Sequence, residues 1–407
     1  MTEGAPHEYK EKPGACMHCG NSPVNHFGQC LSQSFGVWSS GTAGSEEGLR
    51  RKLTEWMDAL FFRIEPVIYA CVAALPVTHF AHDPGRANTY RSQVVWEEAQ
   101  RRGISMEQLT VFGKGTEIYR ARKTGGWRYF QSLPVSSSLS RESCDWMDDK
   151  YLLKRALAKA GIPSPRAVSV TTEHDALKEF ERFAEPVAVK PRLGSRGRHV
   201  TVGVRTREDF VVAFKVAQKL CRYVVVEEYL EGSVCRGTLV GGELVGFFQA
   251  YPPRVTGDGH STIAELVAWE NARKPERVQD IVLTDEHRAF LARSGYTPDT
   301  ILTEGLTIPL THRTGRLFGG HTRELLGHEH PHLRAYLERA AVLLRAPIVG
   351  FDLIIADPKK DPDAQRWGII EANSVPYIDL HYLPLTGTPS RVAISVWDHV
   401  EKNLKDF

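Results

Sequence analysis

The spacing of apolar and polar positions changes character near residue 166. Before that point Leu53, Met57, Leu60, Phe61 and Ile64 recur three and four residues apart, which predicts a helix within 51–75. A second helix is predicted over 91–102, ending before Gly103. Two short strands follow at 108–112 and 116–120, divided by glycine. A third helix over 147–160 stops at Gly161, ahead of Pro163 and Pro165. Beyond residue 166, apolar runs at 187–190, 200–204, 222–227, 238–240 and 244–251 read as strands, and 174–183 and 208–220 as amphipathic helices. Thr262 and Glu265 have the spacing of a helix-opening capping box. A helix over 331–344 precedes two strands, 348–356 and 367–372, joined by a polar hairpin loop at 358–365. This succession predicts an α/β or α+β fold with several antiparallel connections. Residues 1–50, rich in Gly, Ser and Pro and poor in periodicity, read as an irregular arm.

The last hairpin offers the hardest ligand set. Asp352 sits near the start of one apolar strand, and Glu371 and Asn373 end the next. Two residues apart, Glu371 and Asn373 share a face, and antiparallel pairing would set Asp352 beside both. Two carboxylates and an amide oxygen suit magnesium that already carries phosphate and water. Strand-end carboxylates facing solvent are the competing reading.

Two further segments have chemical potential. Lys190 ends a strand and leads into Gly194-Ser195-Arg196-Gly197-Arg198, where glycine N–H groups and arginines suit phosphate oxygens. The turn is neither a P-loop nor a dinucleotide-binding fingerprint, and an ordinary hairpin tip is its plainer reading. Next, the apolar strand 224–226 runs into Glu227-Glu228-Tyr229-Leu230. Such a segment supplies an apolar slot with acceptors at its edge, as adenine needs, or simply a buried strand with an acidic end.

Taken in order, the lysine, the glycine-rich turn, the acid-ended strand and the Asp352…Glu371-x-Asn373 set resemble the ATP-grasp superfamily of carboxylate–amine ligases. The resemblance covers about residues 147–403 and is closest to the ATP-grasp region of cyanophycin synthetases. It rests also on Gly257-Asp258-Gly259-His260-Ser261-Thr262-Ile263-Ala264-Glu265-Leu266 with Asn271, on Phe318-Gly319-Gly320 and His330-Pro331, and on the tail Pro376…His381…Pro384…Gly387…Arg391. The resemblance implies an α+β ATP-grasp fold, two α+β subdomains gripping ATP, over 147–407. An N-terminal α/β domain over 51–146 and the Cys-containing arm over 1–50 precede it. It implies that Lys150 and Lys190 meet ATP phosphates and that Gly194, Ser195, Arg196 and Gly197 fold over them. Glu227, Glu228, Tyr229 and Leu230 would line the adenine edge. Asp352, Glu371 and Asn373 would bind one or two magnesium ions. Arg236 matches a family arginine in the strand after the adenine segment. Arg316 and Arg391 are candidates for the substrate carboxylates, as is Arg313. The chain departs from the family at Val234, where an acidic ribose contact is usual, and at Tyr377-Ile378-Asp379 after Pro376. It also ends near residue 407, short of the Mur-ligase-like half of cyanophycin synthetases, so cyanophycin synthesis itself is not the expected activity.

The expected reaction is phosphorylation of a carboxylate by ATP, then attack of an amine on the acyl phosphate, on amino-acid or peptide substrates. An ATP-grasp phosphotransferase and a non-catalytic nucleotide-binding regulator are the alternatives. Charge narrows the partners: 51 basic against 49 acidic residues leave a net charge of +2, which gives no reason to expect nucleic acid or an anionic membrane. No apolar run reaches the roughly 20 residues that span a bilayer, and the polar start lacks a signal-peptide core. A cytoplasmic protein, with self-association open, is expected. Seven cysteines in 407 residues make no disulfide scaffold. Cys16-x-x-Cys19 with His26 and Cys30 has the ligand types for zinc. Without a second Cys-x-x-Cys pair, reduced thiols in the arm are the preferred reading.

Overall fold

A computed structural model describes residues 16–19, 24–39, 64, 67–135, 145–184, 186–194, 197–276 and 278–403. They divide between two compact units. The first comprises Met1–Trp38, Arg166–Tyr229 and Pro252–Gly320, and the second Ser39–Pro165, Leu230–Tyr251 and His321–Phe407.

In the first unit the expected irregular arm contains a 14-residue helix, α1 (His26–Ser39). Its less exposed side carries Cys30, Gln33 and Val37, while Phe27, Leu31 and Phe35 face outward. A protected stripe made of a thiol, an amide and one valine has little apolar periodicity, so the helix is not apparent from pattern alone.

In the second unit β1 (Thr78–Ala81), β2 (Ser105–Val111), β3 (Lys114–Arg122) and β4 (Arg128–Gln131) form an antiparallel meander, with α2 (Tyr90–Arg101) inserted after β1. The Thr89 hydroxyl accepts from the Ser92 N–H and starts α2. Val94, Val95 and Trp96 of α2 pack with Tyr119 and Phe130. Of the helix expected within 51–75, positions Leu53, Met57, Leu60 and Phe61 lie outside the described residues. The helix expected from 147 begins instead at Lys150, as α3 (Lys150–Lys159), because the Asp149 carboxylate accepts from the Tyr151 and Leu152 N–H groups. Residues Asp145–Asp148 form a 3-10 turn ahead of it.

Back in the first unit, β5 (Ala167–Val170), β6 (Val187–Pro191), β7 (Thr201–Val204) and β8 (Val224–Glu228) make an antiparallel sheet of order β5-β8-β6-β7. Helices α4 (Glu173–Phe180) and α5 (Arg207–Gln218) pack on it, with Phe210, Phe214, Val189 and Val226 in their shared core. The second unit resumes with β9 (Ser233–Val240) and β10 (Glu243–Ala250). The first unit then closes with β11 (Arg254–Thr256), α6 (Ile263–Arg273), α7 (Asp285–Ala292) and β12 (Thr307–Pro309), around Ile263, Leu266, Leu302 and Leu310. The second unit ends with β13 (Thr322–Glu324), α8 (Pro331–Leu344), β14 (Ile348–Ile355), β15 (Gly368–Asn373) and α9 (Val392–Asn403).

The large sheet of the second unit has the order β13-β10-β9-β14-β15. One face is apolar: Cys235, Leu239, Phe247, Phe351 and Leu353 pack against Leu153 and Leu157 of α3 and Leu333 and Leu337 of α8. On the other face Val240 and Ile348 join Trp397 of α9 and the core of the four-stranded meander. That second face also bears the candidate site, through Arg236 and Asp352. No helix among the described residues is long and apolar enough to cross a membrane.

Candidate functional site

Register builds the site of the second unit. Arg236 of β9 is directly opposite Asp352 of β14, and Asp352 is directly opposite Glu371 of β15. The three side chains therefore form a row across adjacent strands. Arg236 grips Asp352 with both arms of its guanidinium, Nε–Oδ1 at 2.7 Å and Nη2–Oδ2 at 2.6 Å. Asn373 donates from Nδ2 to Asp352 Oδ2 at 3.4 Å. Lys150, the first residue of α3, puts Nζ 3.3 Å from Glu371 Oε1. Burial alone would lower the Arg236 pKa, but the Asp352 carboxylate outweighs it and raises the pKa, so the arginine stays charged.

A bulge decides which way Glu371 points. Asp352 pairs with Glu371 but Leu353 pairs with Ile369, so Ile370 is an extra residue in β15. Strict alternation would put Ile369 and Glu371 on one face. With the extra residue, Ile369 and Ala372 enter the apolar core while Glu371 and Asn373 keep the half-exposed side. The buried Lys154 ammonium holds the bulge by donating to the Ile370 carbonyl at 2.7 Å. Beyond the strand, Asp148 accepts from the Ser374 N–H and hydroxyl at 3.0 and 2.7 Å and fixes the exit. The face shared by Glu371 and Asn373, and their nearness to Asp352, are thus as the hairpin reading expects. The bulge itself has no signature in the sequence.

Beside this row lies a buried network of which sequence reasoning noticed only His381, as a motif match. Thr238, two residues from Arg236 on β9, has its hydroxyl 2.8 Å from His381 Nε2. His381 Nδ1 lies 2.9 Å from Glu324 Oε2, and Glu324 Oε1 accepts from the Ser390 hydroxyl at 3.0 Å and the Phe247 N–H at 2.9 Å. The ring fits because residue 246 is glycine: a Cβ there would stand 2.6 Å from His381. The network braces β9, β10 and β13 beside the row.

The first unit carries the glycine-rich turn and the acid-ended strand. Lys190 Nζ lies 2.5 Å from Glu227 Oε1, a pair almost wholly buried between β6 and β8. Gly194 and Gly197 have φ of +118° and +63°, conformations that a side chain would strain. Ser195 and Arg196 lie outside the described residues. Glu228 is turned to Arg166, accepting from its N–H at 3.1 Å and from Nε at 3.3 Å. Tyr229 ends this stretch of the first unit, and the buried Leu230 begins the next stretch of the second. Of the four candidate arginines, Arg236 is the one seen on the carboxylates. Arg391 is exposed ahead of α9 in the second unit, and Arg316 opens a 3-10 turn in the first. Arg313 is committed elsewhere: it is buried, pairs with Glu286 at 2.8 Å and donates to the His18 carbonyl at 3.3 Å.

No family model matches the chain. A bifunctional glutathione synthetase from Pasteurella multocida has a solved structure that superposes with a TM-score of 0.54 at 24% identity, over 90% of this chain and 50% of that one. This chain has the ATP-grasp fold. Relatives appear among curated sequences as well. The cyanophycin synthetase of Synechocystis is 32% identical over 262 residues, 61% of this chain and 30% of its own length. The glutathione biosynthesis bifunctional protein GshAB of Mannheimia succiniciproducens is 28% identical over 319 residues, 75% of this chain and 42% of its own length. The chain thus spans less than half of the curated relatives it matches. The resemblance expected from the motifs, to the ATP-grasp region of cyanophycin synthetases, is borne out.

In this chain the longest motif match is structural. Asp258 accepts from the Ser261 N–H and hydroxyl, each at 2.7 Å, and from the His260 N–H at 3.0 Å, bonds that hold its carboxyl below the usual range. The capping box of Thr262 and Glu265 forms as expected. Asn271 bridges the Ile281 backbone, accepting from its N–H at 2.8 Å and donating to its carbonyl at 3.0 Å. The run knots α6 to its flanking loops.

Proposed function

We propose that the chain is an ATP- and magnesium-dependent ligase that joins a carboxylate to an amine. The observation that carries this reading is the row Arg236–Asp352–Glu371 across three adjacent strands, with Lys150 at its Glu371 end and Asn373 against Asp352. Its unit charges cancel: two cations, Arg236 and Lys150, face two anions, Asp352 and Glu371. A divalent ion added to that set leaves net positive charge to meet phosphate, and two carboxylates with an amide oxygen are the hard donors it prefers. Asp352, Glu371 and Asn373 would hold the magnesium, which when bound supplies Lewis-acid polarisation of phosphate oxygens.

Each of the chain's own residues then has a part. Lys150 and Lys190 neutralise phosphate charge. The turn from Gly194 through Ser195 and Arg196 to Gly197 covers the terminal phosphates and keeps water from the intermediate. Glu227, Glu228, Tyr229 and Leu230 flank the adenine. Arg236 orients Asp352, while Arg316 and Arg391 receive substrate carboxylates. A substrate carboxylate oxygen attacks the γ-phosphorus of ATP and ADP departs. The amine then attacks the acyl carbon, losing a proton, and inorganic phosphate leaves. The relatives are named for glutathione and cyanophycin synthesis, which supports amino-acid or peptide substrates. A cytoplasmic location fits such chemistry.

The test is an ADP-release screen over paired amino acids and dipeptides, with mass spectrometry of the product. The ligase reading requires ADP release that depends on both partners and a product equal to their sum less one water. A product heavier by one phosphoryl group would make the protein a phosphotransferase, and nucleotide binding without turnover would leave only a regulator.

A further inference from the structure

Within the first unit, Cys16, Cys19, His26 and His199 bring one ligand atom each to within 4.8 Å of one another. The set differs from the one expected from sequence. Cys30 is not in it, since its thiol faces the Gln218 carbonyl at 3.6 Å. The fourth member comes from more than 170 residues away, at the C-terminal limb of the glycine-rich turn. The 3-10 turn Met17–Cys19, closed by the Cys19 N–H to the Cys16 carbonyl at 3.0 Å, sets both sulfurs toward the histidines.

Three of the sulfur–nitrogen distances are close to a tetrahedron's edges. Zinc–sulfur bonds of about 2.3 Å and zinc–nitrogen bonds of about 2.0 Å at a tetrahedral angle put S and N about 3.5 Å apart. The observed values are 3.2 Å for Cys19 Sγ to His26 Nε2, 3.5 Å for Cys19 Sγ to His199 Nε2 and 3.6 Å for Cys16 Sγ to His199 Nε2. The surroundings of His199 match as well. The ring is fully buried, and Nδ1 lies 2.7 Å from the Val216 carbonyl. A carbonyl can only accept, so Nδ1 carries the proton and Nε2 turns its lone pair to the two sulfurs. This is the outer-sphere arrangement that orients a metal-binding histidine. The backbone reinforces it: His199 has φ +54°, uncommon outside glycine, and its N–H donates to the His18 carbonyl at 3.0 Å.

We propose that Cys16, Cys19, His26 and His199 bind one zinc ion, and that this clip ties the segment before α1 to the far limb of the glycine-rich turn. Two thiolates and two imidazoles in tetrahedral array favour zinc over harder ions, with two thiol protons released on binding. The near limb of the turn is braced too, since Gln33 of α1 lies against Gly194 and Gly36 against Leu193. Ser34 of α1 accepts from the Arg222 N–H at 2.9 Å. With the ion bound, α1 and the clip hold both limbs. The consequence for ATP rests on the phosphate-covering role proposed for the turn; the zinc site does not.

The experiment is metal analysis of the untagged full chain, purified under reducing conditions without chelator. About one zinc per chain is expected. Cys16→Ser/Cys19→Ser and His199→Asn, an asparagine being tolerant of positive φ, should each fall below a tenth of that, while Cys30→Ser keeps it. Cobalt exchanged into the wild type guards against misfolded variants: it should give the intense visible bands of a four-coordinate thiolate site. No zinc above background after reconstitution with zinc chloride, or a six-coordinate cobalt spectrum, overturns the site. Zinc kept by His199→Asn but lost by Cys30→Ser overturns the ligand assignment. Ejecting zinc with a mercurial should weaken ATP binding several-fold. Unchanged ATP affinity would overturn the grip on the turn and leave the ligase reading untouched.

Discussion

Removing either partner of the Arg236–Asp352 pair should cost more stability than removing both. The two side chains are 15% and 14% exposed and joined by two charge-assisted hydrogen bonds of 2.6–2.7 Å. At an effective dielectric of about 20, unit charges some 4 Å apart attract by about 4 kcal/mol before desolvation is subtracted. Breaking such a pair leaves a charge without its partner, at about 3 kcal/mol for a pair that keeps some contact with water. Replacing both groups with apolar ones leaves no stranded charge and should cost about 1 kcal/mol or less. Arg236→Met and Asp352→Leu are therefore each expected to destabilise the second unit by about 3 kcal/mol, and the double variant by far less. The coupling free energy then exceeds the sum of the errors several-fold. Urea unfolding followed by tryptophan fluorescence is the assay, since Trp96 and Trp397 are fully buried in that unit. A double variant as unstable as the sum of the singles, at unchanged m-value, would refute the reasoning.

Two other predictions concern the first unit. Burial pushes the His312 imidazole down to about 4, whereas the unfolded chain binds its proton near pH 6.5. Its contribution to stability is complete above pH 6.5 and lost as pH falls toward 4, by at most about 3 kcal/mol. Urea midpoints between pH 7 and 4 should show a shallower slope in His312→Phe, and an unchanged slope would remove His312 as its source. Thr262→Ala deletes the hydroxyl that accepts from the Glu265 N–H at 3.3 Å and donates to the Glu265 carboxylate at 2.8 Å. It should cost about 1 kcal/mol, with Thr262→Ser recovering most of it. Hydrogen exchange in the first turn of α6 that is equal in all three proteins would contradict the cap's importance.

Much of the fold was legible because its elements follow local rules. Helix α8 opens on Pro331 as expected, α2 and α5 fall within two residues of their periodicity, and the capping box at Thr262 forms. Local pattern also sufficed for the hairpin of β14 and β15, whose apolar runs and polar loop leave one pairing. What escaped depends on distant contacts. Nothing near Ile370 announces a bulge, because the extra residue is stabilised by Lys154 from another element. His199 has no local partner to mark it as a companion of Cys16 and Cys19, so Cys30, nearer in sequence, took its place. Helix α1 carries no apolar stripe to mark it, because it protects polar residues and turns phenylalanines outward. Nothing near Arg313 in the sequence marks its partner, since Glu286 comes from α7.

The central claim is that Asp352, Glu371 and Asn373 receive the ion that accompanies the nucleotide's terminal phosphates. Calorimetric titration of ATP into the full chain, with magnesium or with EDTA, tests it most directly, in the wild type and in Asp352→Asn/Glu371→Gln. Magnesium is expected to tighten ATP binding at least tenfold, about 1.4 kcal/mol, in the wild type and to have no effect in the variant. Equal tightening in both proteins would contradict the account.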